Sequence, residues 1–170
     1  MTTILTIACI FSSLFILMRL CIIDLQVRLL PNIYVAAFFV CGLLFHFLNH
    51  FSFISPTSMT LGAIAGAGLL LIVRIIANRI YQKDTLGLGD VKLMGAAGLW
   101  LGIEDIFLAV SIGAFAGLIH GLIYGVYKRK SGEVVKFSTL SIPAGPGFII
   151  GILIVGILKF HTLPQLLKLL

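Results

Sequence analysis

The chain has 170 residues, of which 60% are hydrophobic and only 11% charged, with a mean hydropathy of +1.18. At roughly 20 residues per bilayer crossing, six crossings consume about 120 positions and leave about 50 for everything else, which excludes a separate soluble domain of useful size. The formal net charge of +6 does not point to nucleic acid, because Lys and Arg gather on no aromatic-rich polar surface.

Residues 1–170 therefore read as one membrane-embedded domain, an all-α polytopic bundle of six transmembrane spans. The opening stretch, residues 1–18, has no basic lead and runs too far apolar for a cleavable signal. It continues as the first span to Asp24, since about 20 helical residues from Ile4 travel about 30 Å. The next stretch free of Asp, Glu, Lys and Arg, residues 29–73, is 45 residues long and exceeds one helix. Turn formers at Asn49-His50 and Ser55-Pro56 divide it into spans near 33–47 and 59–77. A polar loop precedes a helix over 90–103, an outer turn at Glu104 and Asp105, a fifth span over 106–127 and a sixth within 137–158.

The basic residues orient the bundle, because short loops rich in Lys and Arg stay on the cytoplasmic side. With the N-terminus outside, Arg19, Arg28, Arg74, Arg79, Lys83, Lys92, Lys128, Arg129, Lys130 and Lys136 lie at the inner face, and only Lys159 and Lys168 lie outside. Glycines at helical spacing, Gly113, Gly117, Gly121 and Gly125, strip one side of the fifth span and let a neighbour approach. Gly62 with Gly66 and Gly147 with Gly151 repeat the device in the third and sixth spans. Cys9, Cys21 and Cys41 form no CxxC pair and read as inert thiols in apolar stretches.

Only six acidic residues are available for chemistry. Glu104 and Asp105 lie outside, and Glu133 sits in a basic inner loop. Asp84 reads as a solvated loop residue, which leaves Asp24 and Asp90 at the inner face. Asp24 ends the first span, with Arg28 four residues on and Pro31-Asn32 closing the turn; an interfacial ion pair with Arg28 is the structural alternative. Asp90 follows Gly87 and Gly89, glycines that permit backbone angles closed to other residues, and is placed to cap the helix it begins. That helix reaches the acidic outer turn in 14 residues, about 21 Å, too short for a full bilayer, so either the bilayer thins locally or the helix starts below the surface, and the second places Asp90 in a protein-lined hollow. A plain cap with turn glycines is the alternative; ionisable groups at such depth are functional by default.

If helix ends bring Asp24 and Asp90 within a few ångströms, both cannot ionise comfortably and the pair shares a proton. One carboxylate then takes a proton from water while its protonated partner polarises a carbonyl, chemistry that needs no metal, cofactor or covalent intermediate. His46 and His50, four residues apart on the outer side, have no third ligand beside them and read as interfacial side chains.

Residues 86–93, Leu-Gly-Leu-Gly-Asp-Val-Lys-Leu, carry a GxGD motif extended to GxGDxKL, and 95–102 continue as a small-residue helix. Together with Asp24, Arg28, Pro31 and Asn32, and with the turn Pro143-Ala144-Gly145-Pro146, they resemble the type IV prepilin peptidases, a family of GxGD membrane aspartic proteases. The resemblance runs in order across positions 24–146. It implies that Asp24 and Asp90 are the catalytic pair, supported by Arg28, Pro31, Asn32, Gly87, Gly89, Lys92, Pro143, Gly145 and Pro146. It also implies a multi-pass protein of the inner (plasma) membrane that removes, on the cytoplasmic side, the leader of prepilin-like precursors with an apolar N-terminal helix. Long members carry an inserted cytoplasmic region with paired CxxC motifs and methylate the new N-terminus; here only residues 24–31 join the first two spans, so methyltransferase activity is not expected. A proton-coupled carrier, and a presenilin-like protease cutting inside the bilayer, remain as alternatives.

Overall fold

A computed structural model describes residues 2–130 and 143–161, with side chains of 128–130 left aside. Glu133, Lys136, Lys168 and the start of the sixth span at 137–142 lie outside the described residues. Among the described residues five helices follow one another: α1 (Thr2–Val27), α2 (Asn32–Leu48), α3 (Pro56–Tyr81), α4 (Leu88–Lys130) and α5 (Gly145–Phe160). Three helical stretches, Thr2–Val27, Pro56–Tyr81 and Leu88–Tyr127, are long and apolar enough to cross a membrane, and α2 and α5 are shorter apolar helices. Side chains such as Ile4, Phe11, Ile64, Phe115 and Ile157 are largely exposed, as lipid-facing residues are. The molecule is a helical membrane protein.

Turn chemistry sets the ends. The first helix stops where Arg28 turns left-handed at φ 54° and its N–H bonds back to the Asp24 carbonyl at 2.9 Å. Left-handed His50 and Phe51 carry the chain past Asn49, and the Ser55 hydroxyl accepts the Ser58 N–H at 3.2 Å ahead of Pro56, which opens α3. These breaks fall where the turn formers cluster, but α3 runs to Tyr81, four residues beyond the expected span, because nothing before left-handed Gln82 interrupts it.

The fourth helix departs most from expectation. It is broken at Gly102, at φ 76° and ψ 175°, and not at Glu104-Asp105. Only glycine adopts this conformation cheaply, and Ser58 takes up the N–H of Ile103 at 3.2 Å, so the break leaves no orphan donor there. Glu104 and Asp105 lie in the first turn of the second limb, where a carboxylate favours the positive end of a helix. Contacts show that the limbs run in opposite directions. Gly62 of α3 meets Gly98 and Gly102 while Gly66 meets Met94 and Ile106, so both limbs lead away from Gly102 along α3, and along the second limb Asp105, Ala109 and Gly113 face Lys159, Gly151 and Phe148 of α5 in reverse order.

Both pairings depend on missing side chains. A Cβ on Gly98 would land on the Gly62 backbone, and one on Gly113 would sit 2.8 Å from the Phe148 Cα. The fourth helix is the hub, packing on α2, α3 and α5, while α1 closes against α2 and α5. Leu20, Phe38, Phe45, Leu93, Met94, Leu101 and Ile106 are fully buried between them. Trp100 anchors the far half of this core, stacking on Phe38 at 5.6 Å and donating to the Phe38 carbonyl at 3.0 Å.

His46 corrects an expectation. It is not interfacial but 0% exposed, packed among the rings of Phe45, Trp100 and Phe160, because it falls on the face of α2 that α4 covers. His50 is exposed in the adjoining turn.

Candidate active site

Three chain segments converge at the end of the bundle opposite Gly102. Asp24 lies in the last turn of α1, and Asp90 in the first turn of α4. Both residues are buried, at 5% and 6% exposed, and the start of α4 lies beside the connection that follows Asp24, with Gly89 against Leu30 and Lys92 bonded to Asn32. The third segment is the start of α5, whose Gly145 N–H donates to Asp24 Oδ2 at 3.0 Å. This contact links positions 121 residues apart. It requires glycine, since a Cβ there would stand 2.7 Å from the same carboxylate oxygen.

The pairing with Arg28 takes a different form from the one expected. Arg28 has left the helix, so it is not on a common helical face with Asp24. The hydrogen bond of Asp24 goes to the α5 backbone instead. Pro31 ends the connection, its carbonyl accepting the Tyr34 N–H at 3.1 Å as α2 begins.

The two motif glycines serve space and not dihedral freedom. Among the described residues Gly102 is the positive-φ glycine, so Gly87 and Gly89 adopt angles open to other residues. A Cβ on Gly89 would lie 2.7 Å from the Leu30 Cβ, so bare backbone lets the start of α4 rest against the α1–α2 connection. A Cβ on Gly87 would stand 3.0 Å from Asp90 Oδ2. The helix starts at Leu88, two residues before Asp90, so Asp90 is a first-turn residue whose carboxylate lies back over Gly87. Its Oδ1 is buried with no hydrogen-bond partner among the described residues.

Lys92 gains a place that its position in the motif did not suggest. Its Nζ donates to Asn32 Oδ1 at 3.0 Å, tying the first turn of α4 to the first residue of α2. Pro146 is buried in the first turn of α5. Pro143 borders a small groove of about 340 Å³ formed with Gly113, Gly117, Gly121 and Phe148. Asp84 is indeed exposed, but it is also paired with Arg74 at 2.8 Å. Sequence reasoning missed Arg74, read only as one of the inner-face cations, and Asn78, whose side chains hold the loop before Asp90, because no spacing rule links them to a loop six to twelve residues on.

Two buried carboxylates from remote helices, gathered at one end of a membrane bundle, with one oxygen unpartnered among the described residues and one held by a backbone N–H, define a class: membrane proteins equipped for acid–base work on a polar bond. Comparison with known proteins makes this specific. Residues 8–122 match the Type IV leader peptidase family, and the chain belongs to that family. A prepilin leader peptidase/N-methyltransferase from Pectobacterium carotovorum subsp. carotovorum is 32% identical over 122 residues, covering 71% of this chain and 43% of the relative. Proteins of the same name from Escherichia coli (strain K12) and Legionella pneumophila are 28% and 32% identical, covering 71% and 79% of this chain and 52% and 44% of their own lengths. The chain thus spans about half, or somewhat less, of the relatives it matches. No solved structure matches it.

Proposed function

We propose that the protein is an aspartic endopeptidase that removes the leader from prepilin-like precursors, with Asp24 and Asp90 as its catalytic pair. The observation that carries this reading is the gathering of two buried carboxylates, in the two motif contexts, at one end of the bundle, where Gly89 rests against Leu30, Lys92 bonds Asn32 and Gly145 bonds Asp24. Family membership and the name prepilin leader peptidase shared by the relatives support the substrate class. The methyl-transfer half of that name is not carried over.

The chemistry divides between the two acids. The ionised carboxylate accepts a proton from water as the oxygen attacks the scissile carbonyl carbon, and the protonated partner donates to the carbonyl oxygen. Collapse of the tetrahedral intermediate breaks the C–N bond, the first carboxyl returns its proton to the leaving nitrogen, and the second recovers its own from the new hydroxyl. Asp24 is oriented for this by the Gly145 N–H, while the unpartnered Oδ1 of Asp90 is the free corner available to water or to the substrate carbonyl.

The same reading sets the topology. Counting the limbs of α4 separately, the 170 residues form one domain of six crossings with the N-terminus outside, in the inner (plasma) membrane. The first limb has 14 residues before Gly102, about 21 Å of helix, so Asp90 lies below the cytoplasmic surface. A precursor's apolar helix then lies against the bundle and presents the peptide bond just ahead of it to the carboxylates. Purified protein in detergent is to be incubated with a prepilin-like precursor and the product mapped by mass spectrometry. Cleavage at the cytoplasmic start of the apolar segment is expected. A cut several residues inside that segment favours an intramembrane protease, and liposome flux without cleavage favours a carrier.

A further inference from the structure

The loop that leads into Asp90 is fastened from outside the motif. Arg74 and Asn78 stand one turn apart on the same face of α3. Arg74 donates through Nη1 to the Leu86 carbonyl and through Nη2 to Asp84 Oδ1 at 2.8 Å. Asn78 donates through Nδ2 to the same Asp84 oxygen at 3.0 Å, and its Oδ1 accepts both the backbone N–H and the hydroxyl of Thr85 at 2.8 Å. Five hydrogen bonds therefore hold residues 84–86 on α3. Only Gly87 separates the last anchored carbonyl from Leu88, where α4 begins.

We propose that Arg74 and Asn78 are positioning residues for the peptidase reaction, fixing the start of α4 and hence the place at which Asp90 meets Asp24. This rests on the aspartic-peptidase reading above. The two partners of Arg74 contribute unequally. The Asp84 side chain is 81% exposed, and an ion pair so open to solvent contributes little. The Arg74 side chain is only 17% exposed, and its bond to the Leu86 carbonyl restrains the backbone itself. A guanidinium reaches carboxylate and carbonyl at once from a rigid fork, which an ammonium does not reproduce. Displacing a catalytic group by about 1 Å costs about 10²-fold in rate, so a loosened loop acts on turnover.

The test compares Arg74→Lys, Asn78→Ala and Asp84→Asn in the full chain by steady-state cleavage of a prepilin-like precursor, with thermal midpoints in detergent and hydrogen exchange over residues 84–92. Arg74→Lys is expected to lower kcat by roughly tenfold to a hundredfold with KM within about twofold, and Asn78→Ala to lower it in the same direction. Both midpoints stay at the wild-type value, Asp84→Asn stays within about threefold of wild-type kcat, and exchange quickens in 84–92 alone. Wild-type kcat in Arg74→Lys, or a loss of rate that tracks a fallen midpoint and exchange throughout the bundle, would overturn the proposal. Equal losses in Asp84→Asn and Arg74→Lys would overturn the role given to the Leu86 carbonyl. The exchange readout needs no substrate, so a wild-type protein that cleaves nothing sinks the peptidase reading while the anchoring of the loop is still measured.

Discussion

Gly145→Ala isolates the contact between α5 and Asp24. The added Cβ would lie 2.7 Å from Asp24 Oδ2 and 3.0 Å from its Cγ, where ordinary contact requires about 3.5 Å. The carboxylate, the movable end of its side chain, must therefore retreat by about 0.5–0.8 Å. In doing so it lengthens or loses the bond from the Gly145 N–H, a hydrogen bond to a charged group worth about 1.5–3 kcal/mol. Misplacing a reacting group by about 1 Å costs about 10²-fold, or about 2.7 kcal/mol of barrier, so the two routes to the magnitude agree. Gly145 does not adopt a positive φ, so alanine meets no left-handed backbone penalty there. Precursor cleavage by the purified variant, followed by mass spectrometry, should show kcat/KM lowered about 10²-fold with unchanged accumulation in the membrane. A variant that cleaves at the wild-type rate would refute the idea that Gly145 sets the position of a catalytic Asp24.

Further consequences can be checked in the same preparation. Because Lys92 and Asn32 are both exposed, Lys92→Met should slow cleavage only about threefold to tenfold; Asn32→Ala should match it and the double variant should be no worse, as a double-mutant cycle would show. Gly89→Ala forces its new Cβ against Leu30 and should cost about 1–3 kcal/mol of stability, seen as a lowered thermal midpoint, whereas the same change made in a Leu30→Gly background, where the opposing Cβ is gone, should lower that background's midpoint clearly less. His46→Leu removes two buried ring nitrogens that have no hydrogen-bond partner among the described residues, at the end of the bundle away from the aspartates. It should raise the thermal midpoint, by up to about 1–3 kcal/mol of stability, and leave cleavage unchanged.

The helices were legible because lipid imposes a simple rule: apolar runs of sufficient length, broken by turn formers. Asn49, Ser55 and Pro56 marked a real break, and the short helix before the outer turn is there. The reversal was misplaced by two residues, because charge at Glu104 and Asp105 draws the eye whereas the chain turns on the backbone freedom of Gly102 and the Ser58 hydroxyl of another helix. At the site, charge scarcity and motif context singled out Asp24 and Asp90 as candidates, but the contacts that bring their segments to one end of the bundle could not be read, since local periodicity carries no information on contacts between remote helices. The Gly145 N–H, the Lys92–Asn32 bond and the Arg74–Leu86 bond are all of that kind. His46 misled for the same reason: a residue near a span end is interfacial only if no neighbour covers its face, and Trp100 and Phe160 do.

The most direct test asks whether Asp24 and Asp90 act as one unit. Cleavage rates are to be measured for Asp24→Asn, Asp90→Asn and the double variant, each purified and shown to be folded. Members of a single catalytic pair are non-additive, so each single variant should lose at least about 10³-fold and the double should fall no further. Substantial cleavage by either single variant, or losses that multiply in the double, would contradict a shared role for the two carboxylates.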